Sequence, residues 1–412
     1  MKILIVNKFL FQKGGAETYI LQLGDHLKML GHEVQYFGMD HEKRCVGNTA
    51  NAYTSHMDFH TDSMRSKLTY SVKTIYSIQA RNKIRLVLED FQPDVVHLNN
   101  INFQLTPAII YEIKKFGIPI VQTVHDSQMA CPSHNMYIEH KRISCQACLE
   151  SKNYFHCIRN KCVHNSTLKS FIAAIEAFYY HARGTYRMVD AYISPSRFMA
   201  DIVMQTGVRE DTVHVLPNPI DTLPSTGVEK SERYILYFGR LSREKGIQTL
   251  LNAATLLPDI PIVVAGSGPL EQAIQADRHI RFVGFKQDDE LRRLVGGAVC
   301  SVLPAEWSEN CPFSVLESQA LGVPVIGSDM GGIPELIEDG ETGFIFRAGD
   351  TEALAEKIRL LWDRPWMVAQ MKEKCLTKPY ITWNGYISKL LDIYRMVEAG
   401  ESICKKQAKG FH

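Results

Sequence analysis

The sequence predicts an α/β chain of two doubly wound parallel-sheet domains facing a cleft, and three observations carry that expectation. Apolar strand-like runs alternate with longer amphipathic stretches along the chain, the pattern of a parallel sheet with crossover helices. A proline-dense stretch at 217–224, PNPIDTLP, interrupts the alternation and suits an interdomain linker. Two carboxylates, Glu309 and Glu317, stand eight positions apart between an apolar run and a helix-like segment. That is the place where open α/β sheets bind ligands.

The apolar runs of the first half fall at 3–6, 34–37, 95–98, 118–124, 191–194 and 213–216. After the prolines the pattern restarts at 234–238, 262–265, 280–283, 299–303, 324–326 and 344–346. Runs this short, bounded by turn residues, read as strands. The expected organisation is a first domain at 1–216, a second at 217–380, and a C-terminal helix and tail at 381–412 with the helix crossing the junction. A chain of 412 residues exceeds one ordinary core, in keeping with two domains.

Composition narrows the class. An apolar share of 45% and a charged share of 22% fit a globular protein. No apolar run reaches the roughly 18 residues of a membrane span. The opening MKILIVN is too short for a signal peptide and reads as a first buried strand. Ten cysteines without an export signal suggest reduced thiols or metal ligands, so a cytoplasmic protein is expected. The net charge of +1 hides an asymmetry: residues 1–216 carry 24 Lys and Arg against 19 Asp and Glu, leaving 22 against 26 in the rest. Between 64 and 85 stand Arg65, Lys67, Lys73, Arg81, Lys83 and Arg85 with no acid, and Met64, Leu68, Val72 and Ile75 at helical spacing. Such a segment suits either an anionic membrane surface on the inner face of the plasma membrane or a solvated helix face. No nucleic-acid partner is expected.

Several turns after predicted strands carry groups suited to phosphate and sugar. Gly14 and Gly15 precede a helix at 18–30 and leave backbone N–H groups open to an anion, although one Gly-Gly is more often a tight turn. Gly239-Arg240 and Lys245-Gly246 lie between a strand and a helix at 247–254; Arg forks onto phosphate oxygens and Lys adds a point charge. Gly266 and Gly268, with Phe285 after the next strand, suit a base or ribose pocket. His125-Asp126 ends the strand at 118–124, a better setting for a functional histidine than a core position.

Taken in order, Gly14-Gly15-Ala16-Glu17, His125-Asp126, Gly239-Arg240-Leu241 with Lys245-Gly246, Gly266-Ser267-Gly268-Pro269, Glu309 through Glu317 and Gly331-Gly332-Ile333-Pro334-Glu335 resemble the retaining glycosyltransferases of family 4. The resemblance implies the GT-B fold, two Rossmann-like domains, and a nucleotide-sugar donor. It implies that Glu317 holds the donor ribose, and that Glu309 with the backbone at Asn310, Cys311, Pro312 and Phe313 holds the sugar. It assigns the diphosphate to Arg240 and Lys245, with Gly15 approaching it, and places His125 beside the anomeric centre. Front-face attack with the leaving phosphate accepting the proton needs no cofactor, because fixed positive charge stabilises the leaving group. The implied acceptor is a saccharide or lipid-linked saccharide, in surface polysaccharide or glycolipid assembly. A nucleotide-sugar 2-epimerase of the same fold and a non-catalytic partner subunit are the rival readings.

One insert, about 131–165, stands apart. Cys145, Cys148, Cys157 and Cys162 follow C-x2-C-x8-C-x4-C, a spacing suited to a structural zinc site. Cys131, His134, His156 and His164 are further candidates, and reduced structural thiols are the alternative.

Overall fold

The apolar runs form two six-stranded parallel sheets in a computed structural model that describes residues 1–55, 74–220 and 232–400. The first half contributes β1 (Lys2–Val6), β2 (Glu33–Phe37), β3 (Val95–Leu98), β4 (Ile120–Thr123), β7 (Ala191–Ser194) and β8 (Val213–Val215), with two short strands, β5 (Tyr137–Ile138) and β6 (Ile143–Ser144), inside the cysteine insert. The second half contributes β9 (Ile235–Phe238), β10 (Ile262–Ala265), β11 (Ile280–Phe282), β12 (Cys300–Leu303), β13 (Val325–Ser328) and β14 (Gly343–Phe346). The sheet orders are β2-β1-β3-β4-β7-β8 and β11-β10-β9-β12-β13-β14. Both are doubly wound: the chain starts near the middle, runs to one edge, then crosses back to build the other.

The chain divides into two compact units, one of 1–140, 145–217 and 383–412, the other of 218–382 with 141–144. In the first, β1 lies between β2 and β3, with Ile3 opposite Val34 and Val95. Every residue of β3, β4 and β7 is buried, so these strands are mainly apolar without alternation, and the polar His97 and Thr123 within them are hydrogen-bonded to each other. The helix Gly15–Met29 buries Tyr19, Ile20, Leu23 and Leu27 at helical spacing. Gly24 lets it lie close on β2, since a Cβ there would come within 1.6 Å of the Tyr36 hydroxyl.

The helix Trp383–Glu398 belongs to this first unit. It buries Trp383, Tyr386, Leu390 and Tyr394. The Tyr386 hydroxyl lies 2.7 Å from that of Tyr19, and the Tyr394 hydroxyl 2.6 Å from His97 Nδ1. A buried tyrosine needs such a partner for its hydroxyl.

In the second unit, Ile235 of β9 stands opposite Ile262 and Cys300. Leu250, Leu354, Ile358 and Leu361 from two helices pack against Ile235, Tyr237, Ile262 and Val264.

Residues 64–73 of the basic stretch, with Arg65, Lys67 and Lys73, lie outside the described residues, whereas Arg81, Lys83 and Arg85 are described. Arg81 and Arg85 stand on the helix Ile78–Phe91, and both pair with the buried Glu112 at 2.7 and 2.6 Å. Burial pushes the Glu112 carboxyl upward, but Arg81 and Arg85 overcome it and hold it below its ordinary value. These two cations are therefore spent on an internal carboxylate. Among the described residues no helix is long and apolar enough to cross a membrane.

Candidate active site

In the second unit the chemistry gathers where β9, β10, β11 and β12 end. The turns after these strands are tied to one another: Gly239 N donates to Ala265 O at 3.1 Å, Leu241 N to Ser267 O at 2.9 Å, and Gly266 N to Gly284 O at 2.9 Å. Gly266 has φ of +146°, and a Cβ on it would lie 1.9 Å from the Gly239 carbonyl. Glycine is thus demanded by the packing of the two turns, before any ligand is considered. Gly268 belongs to the same turn, and Phe285 follows Gly284 with its ring 63% exposed.

Glu309 is buried, and its Oε1 accepts from Trp307 Nε1 at 2.6 Å and from the Lys245 ammonium. The Lys245 Nζ also stands 5.3 Å from the centre of the Trp307 ring. Gly331 and Gly332 hold the Glu309 backbone: Gly332 N donates to its carbonyl at 2.7 Å, and a Cβ on Gly331, where φ is +63°, would sit 2.1 Å from that oxygen. Lys245 and Glu309, 64 positions apart, are therefore one ion pair. Arg240 is exposed on the preceding turn, where the Tyr237 hydroxyl donates to its carbonyl at 2.8 Å.

Cys311 turns inward. Its side chain packs with Ile220 and Leu316, its carbonyl accepts from Asn218 Nδ2 at 2.9 Å, and burial pushes the thiol up to about 12. Pro312 then opens the helix Phe313–Ala320 without a side-chain cap, and Asn310 and Phe313 stand half-buried beside it. Glu317 lies on that helix. Burial raises its carboxyl to about 7, with Arg292 pulling the other way. Glu309 and Glu317 thus differ in kind: one is paired with a cation, the other is a half-buried carboxyl poised near neutrality.

In the first unit, Gly14 and Gly15 are exposed at the N-terminus of their helix, which has no side-chain cap. His125 follows β4, with Nε2 2.9 Å from Asn99 Oδ1. Asn99 Nδ2 faces the carbonyls of Val6 and His97, which fixes the amide and makes its Oδ1 the acceptor. Nε2 therefore carries the proton. Burial lowers His125 to about 4, against Asp126 which raises it, so the ring is neutral at physiological pH with Nδ1 as an acceptor. Tyr19 meets this ring edge-on at 5.2 Å. Beside it, Lys8 Nζ donates to Asn102 Oδ1 at 2.6 Å, and Asn102 Nδ2 reaches Asp126 Oδ2 at 3.1 Å and His134 Nδ1 at 2.7 Å.

Trp307, Asn99, Asn102 and Lys8 join these sites without belonging to any of the sequence motifs above. Their signal was present: each follows the end of an apolar run, on the ligand-facing edge of its sheet.

In the insert, Cys131, Cys145, Cys148, Cys157 and Cys162 line one cavity together with His156. Burial pushes the Cys148 thiol up to about 12 and raises Cys131, while Cys157 is raised first by its hydrogen bond with Cys162. Among the described residues, no group of three or more His, Cys, Asp and Glu side chains is disposed to hold a metal ion. His134 instead serves Asn102 and stacks on Phe103 at 4.5 Å.

Residues 13–222 match the family model described as Glycosyltransferase Family 4, and residues 221–376 match that of Glycosyl transferases group 1. Similar curated proteins include alpha-maltose-1-phosphate synthase of Mycolicibacterium smegmatis, 30% identical over 51% of this chain and 64% of that protein. The sulfoquinovosyl transferase of Arabidopsis thaliana is 34% identical over 33% of this chain and 28% of its own length. The putative glycosyltransferase EpsD of Bacillus subtilis is 33% identical over 34% and 39%. The matched region thus spans less than two thirds of each of these relatives. Among solved structures, Anabaena Alr3699/HepE in complex with UDP aligns at TM-score 0.66 and 16% identity, over 95% of this chain and all of that one. Sucrose-phosphate synthase from Thermosynechococcus elongatus aligns at 0.68 and 17%, over 97% of this chain and all of that one. Likeness at this level of identity shows a shared fold, GT-B.

Proposed function

Because the chain belongs to glycosyltransferase family 4, we propose that it moves a sugar from a nucleotide-diphosphate donor to an acceptor hydroxyl with retention of anomeric configuration. The observation that carries this reading is the Lys245–Glu309–Trp307 group at the C-terminal edge of the second sheet, with Arg240 exposed on the turn beside it. A fixed cation there serves the charge that develops on a departing diphosphate, and it does so without a metal.

In this proposal Arg240 and Lys245 bind the diphosphate oxygens. Lys245 is shared between Glu309 and the donor, so donor binding loosens the pair and frees a Glu309 oxygen for a sugar hydroxyl. Glu317 accepts hydrogen bonds from the ribose. Phe285 offers an exposed ring to the base. In the first unit Gly14 and Gly15 leave a helix N-terminus bare for an anion, and His125 presents a neutral imidazole to the sugar. The bond from the anomeric carbon to the phosphate oxygen breaks and a bond to the acceptor oxygen forms on the same face. The acceptor's proton passes to the departing phosphate oxygen, so no protein group need be its base.

A saccharide or lipid-linked saccharide is the proposed acceptor class; EpsD and the amylovoran biosynthesis glycosyltransferase of Erwinia amylovora are among the similar proteins. Incubation with a panel of nucleotide-sugars, with and without membrane extract, tests the reading. Release of nucleoside diphosphate that rises with extract supports transfer. Formation of an epimeric sugar without any acceptor would instead support the 2-epimerase reading, and binding without turnover of any donor the partner-subunit reading.

A further inference from the structure

The helix Thr167–Ala182 has no charged face. Its inner side buries Ala173, Ala174, Ala177 and Tyr180. Its outer side carries Leu168, Phe171, Ile175 and Phe178, which are 67%, 45%, 37% and 65% exposed. Steps of three, four and three residues put these four on one stripe. The helix has a single carboxylate, Glu176, and it is buried; burial raises it to about 8, so it gives the outer stripe no charge. A helix apolar on both sides is characteristically covered on both.

The surroundings specify what covers it. Phe155, 70% exposed, stands on the short helix Phe155–Arg159, and the adjacent Tyr154 stacks on His181 of the long helix at 5.3 Å. Between 151 and 189 the chain carries Lys152, Arg159, Lys161, Lys169, Arg183 and Arg187, and its only acid is Glu176. All six cations are exposed, and among the described residues none forms a salt bridge.

We propose that this face docks on the surface of an anionic lipid bilayer, with Leu168, Phe171, Ile175 and Phe178 entering the headgroup boundary and the flanking cations meeting lipid phosphates. The helix would lie in the interface rather than cross it. Charge decides between this occupant and a second copy of the chain. Two copies meeting here would each bring the same cations and no exposed acid from this segment, and like charges repel. Anionic headgroups supply the missing countercharge, each nearby Lys or Arg favouring them severalfold. Docking needs no donor and does not depend on the proposed sugar transfer.

Sedimentation of the full chain with phosphatidylcholine vesicles, with and without phosphatidylglycerol, tests it. Binding is expected only with the anionic lipid, weakening as salt rises. Replacing Phe171→Gln with Phe178→Gln should lower binding at least about tenfold, and Lys161→Gln with Lys169→Gln also by about tenfold or more. Both pairs change exposed side chains, so melting temperature and nucleotide-sugar binding measured without vesicles should stay unchanged. Equal binding to neutral and anionic vesicles, or unchanged binding by either pair in folded protein, overturns the proposal. So does a dimer in light scattering that the Phe171→Gln, Phe178→Gln protein loses, because the face would then belong to a second copy.

Discussion

Replacing Lys245→Met removes one ammonium while keeping most of the side-chain stem, and the structure predicts two separable losses. Glu309 would remain buried with Trp307 Nε1 as its remaining partner at 2.6 Å. Leaving such a carboxylate without its cation costs about 1–3 kcal/mol. For a unit of this size each kcal/mol moves the midpoint by about 2–4 °C, so melting should fall by roughly 5 °C. Loss of a charge that stabilises the leaving group should lower turnover by about two to three orders of magnitude. Arg240→Ala is the control, because Arg240 is exposed and makes no salt bridge among the described residues. It should lose comparable turnover with no change in melting. Adding Glu309→Gln to Lys245→Met should restore much of the lost stability but none of the turnover, the signature of a coupled pair. Diphosphate release at saturating donor and scanning fluorimetry read the two effects. Wild-type turnover for Lys245→Met would remove its role at the leaving group, and unchanged melting would remove the ion pair.

Three other outcomes are expected. Glu317→Ala should mainly weaken donor binding, since a ribose contact is made alike in ground and transition states, whereas Glu309→Ala should lower turnover more; the reverse pattern in steady-state kinetics would exchange their roles. Because burial raises Glu317 to about 7, its carboxylate form is gained as pH rises from 6 to 8, so donor affinity should climb up to about tenfold across that window in calorimetry. Glu317→Gln should flatten the climb, and a flat wild-type profile would contradict the assignment. The stability effect has the opposite sign: a carboxyl raised above its ordinary 4.5 contributes fully below that value, and its contribution is lost as pH rises through about 7. Finally, Cys145, Cys148, Cys157 and Cys162 should titrate as reduced thiols without metal release, since among the described residues no such group is disposed to hold a metal ion; about one equivalent of zinc in protein purified without chelator would contradict that.

The strands were legible because a strand buried on both faces is mainly apolar, and 95–98, 191–194 and 262–265 are found as read, His97 being admitted to the first by its bonds to Tyr394 and Thr123. The glycine turns and the acid-bearing helix were legible because their spacing is local. Long-range pairing was not. Nothing near Lys245 announces Glu309, and nothing near Trp383 announces that its helix would carry Tyr386 and Tyr394 to Tyr19 and His97. The exposed stripe of Thr167–Ala182 was hidden for a different reason: an apolar helix reads as core, and only the fold tells which of its sides lacks a neighbour. The basic segment drew attention in its place, yet Arg81 and Arg85 neutralise a buried carboxylate.

Calorimetric titration of a nucleotide-sugar panel into the wild type and into Arg240→Ala, Lys245→Ala protein tests the catalytic proposal most directly. At least one donor should bind the wild type with release of its diphosphate once acceptor is supplied, and the double variant should lose about two or more orders of magnitude in turnover. Equal turnover by both proteins, or no binding of any nucleotide-sugar by the folded wild type, would contradict it.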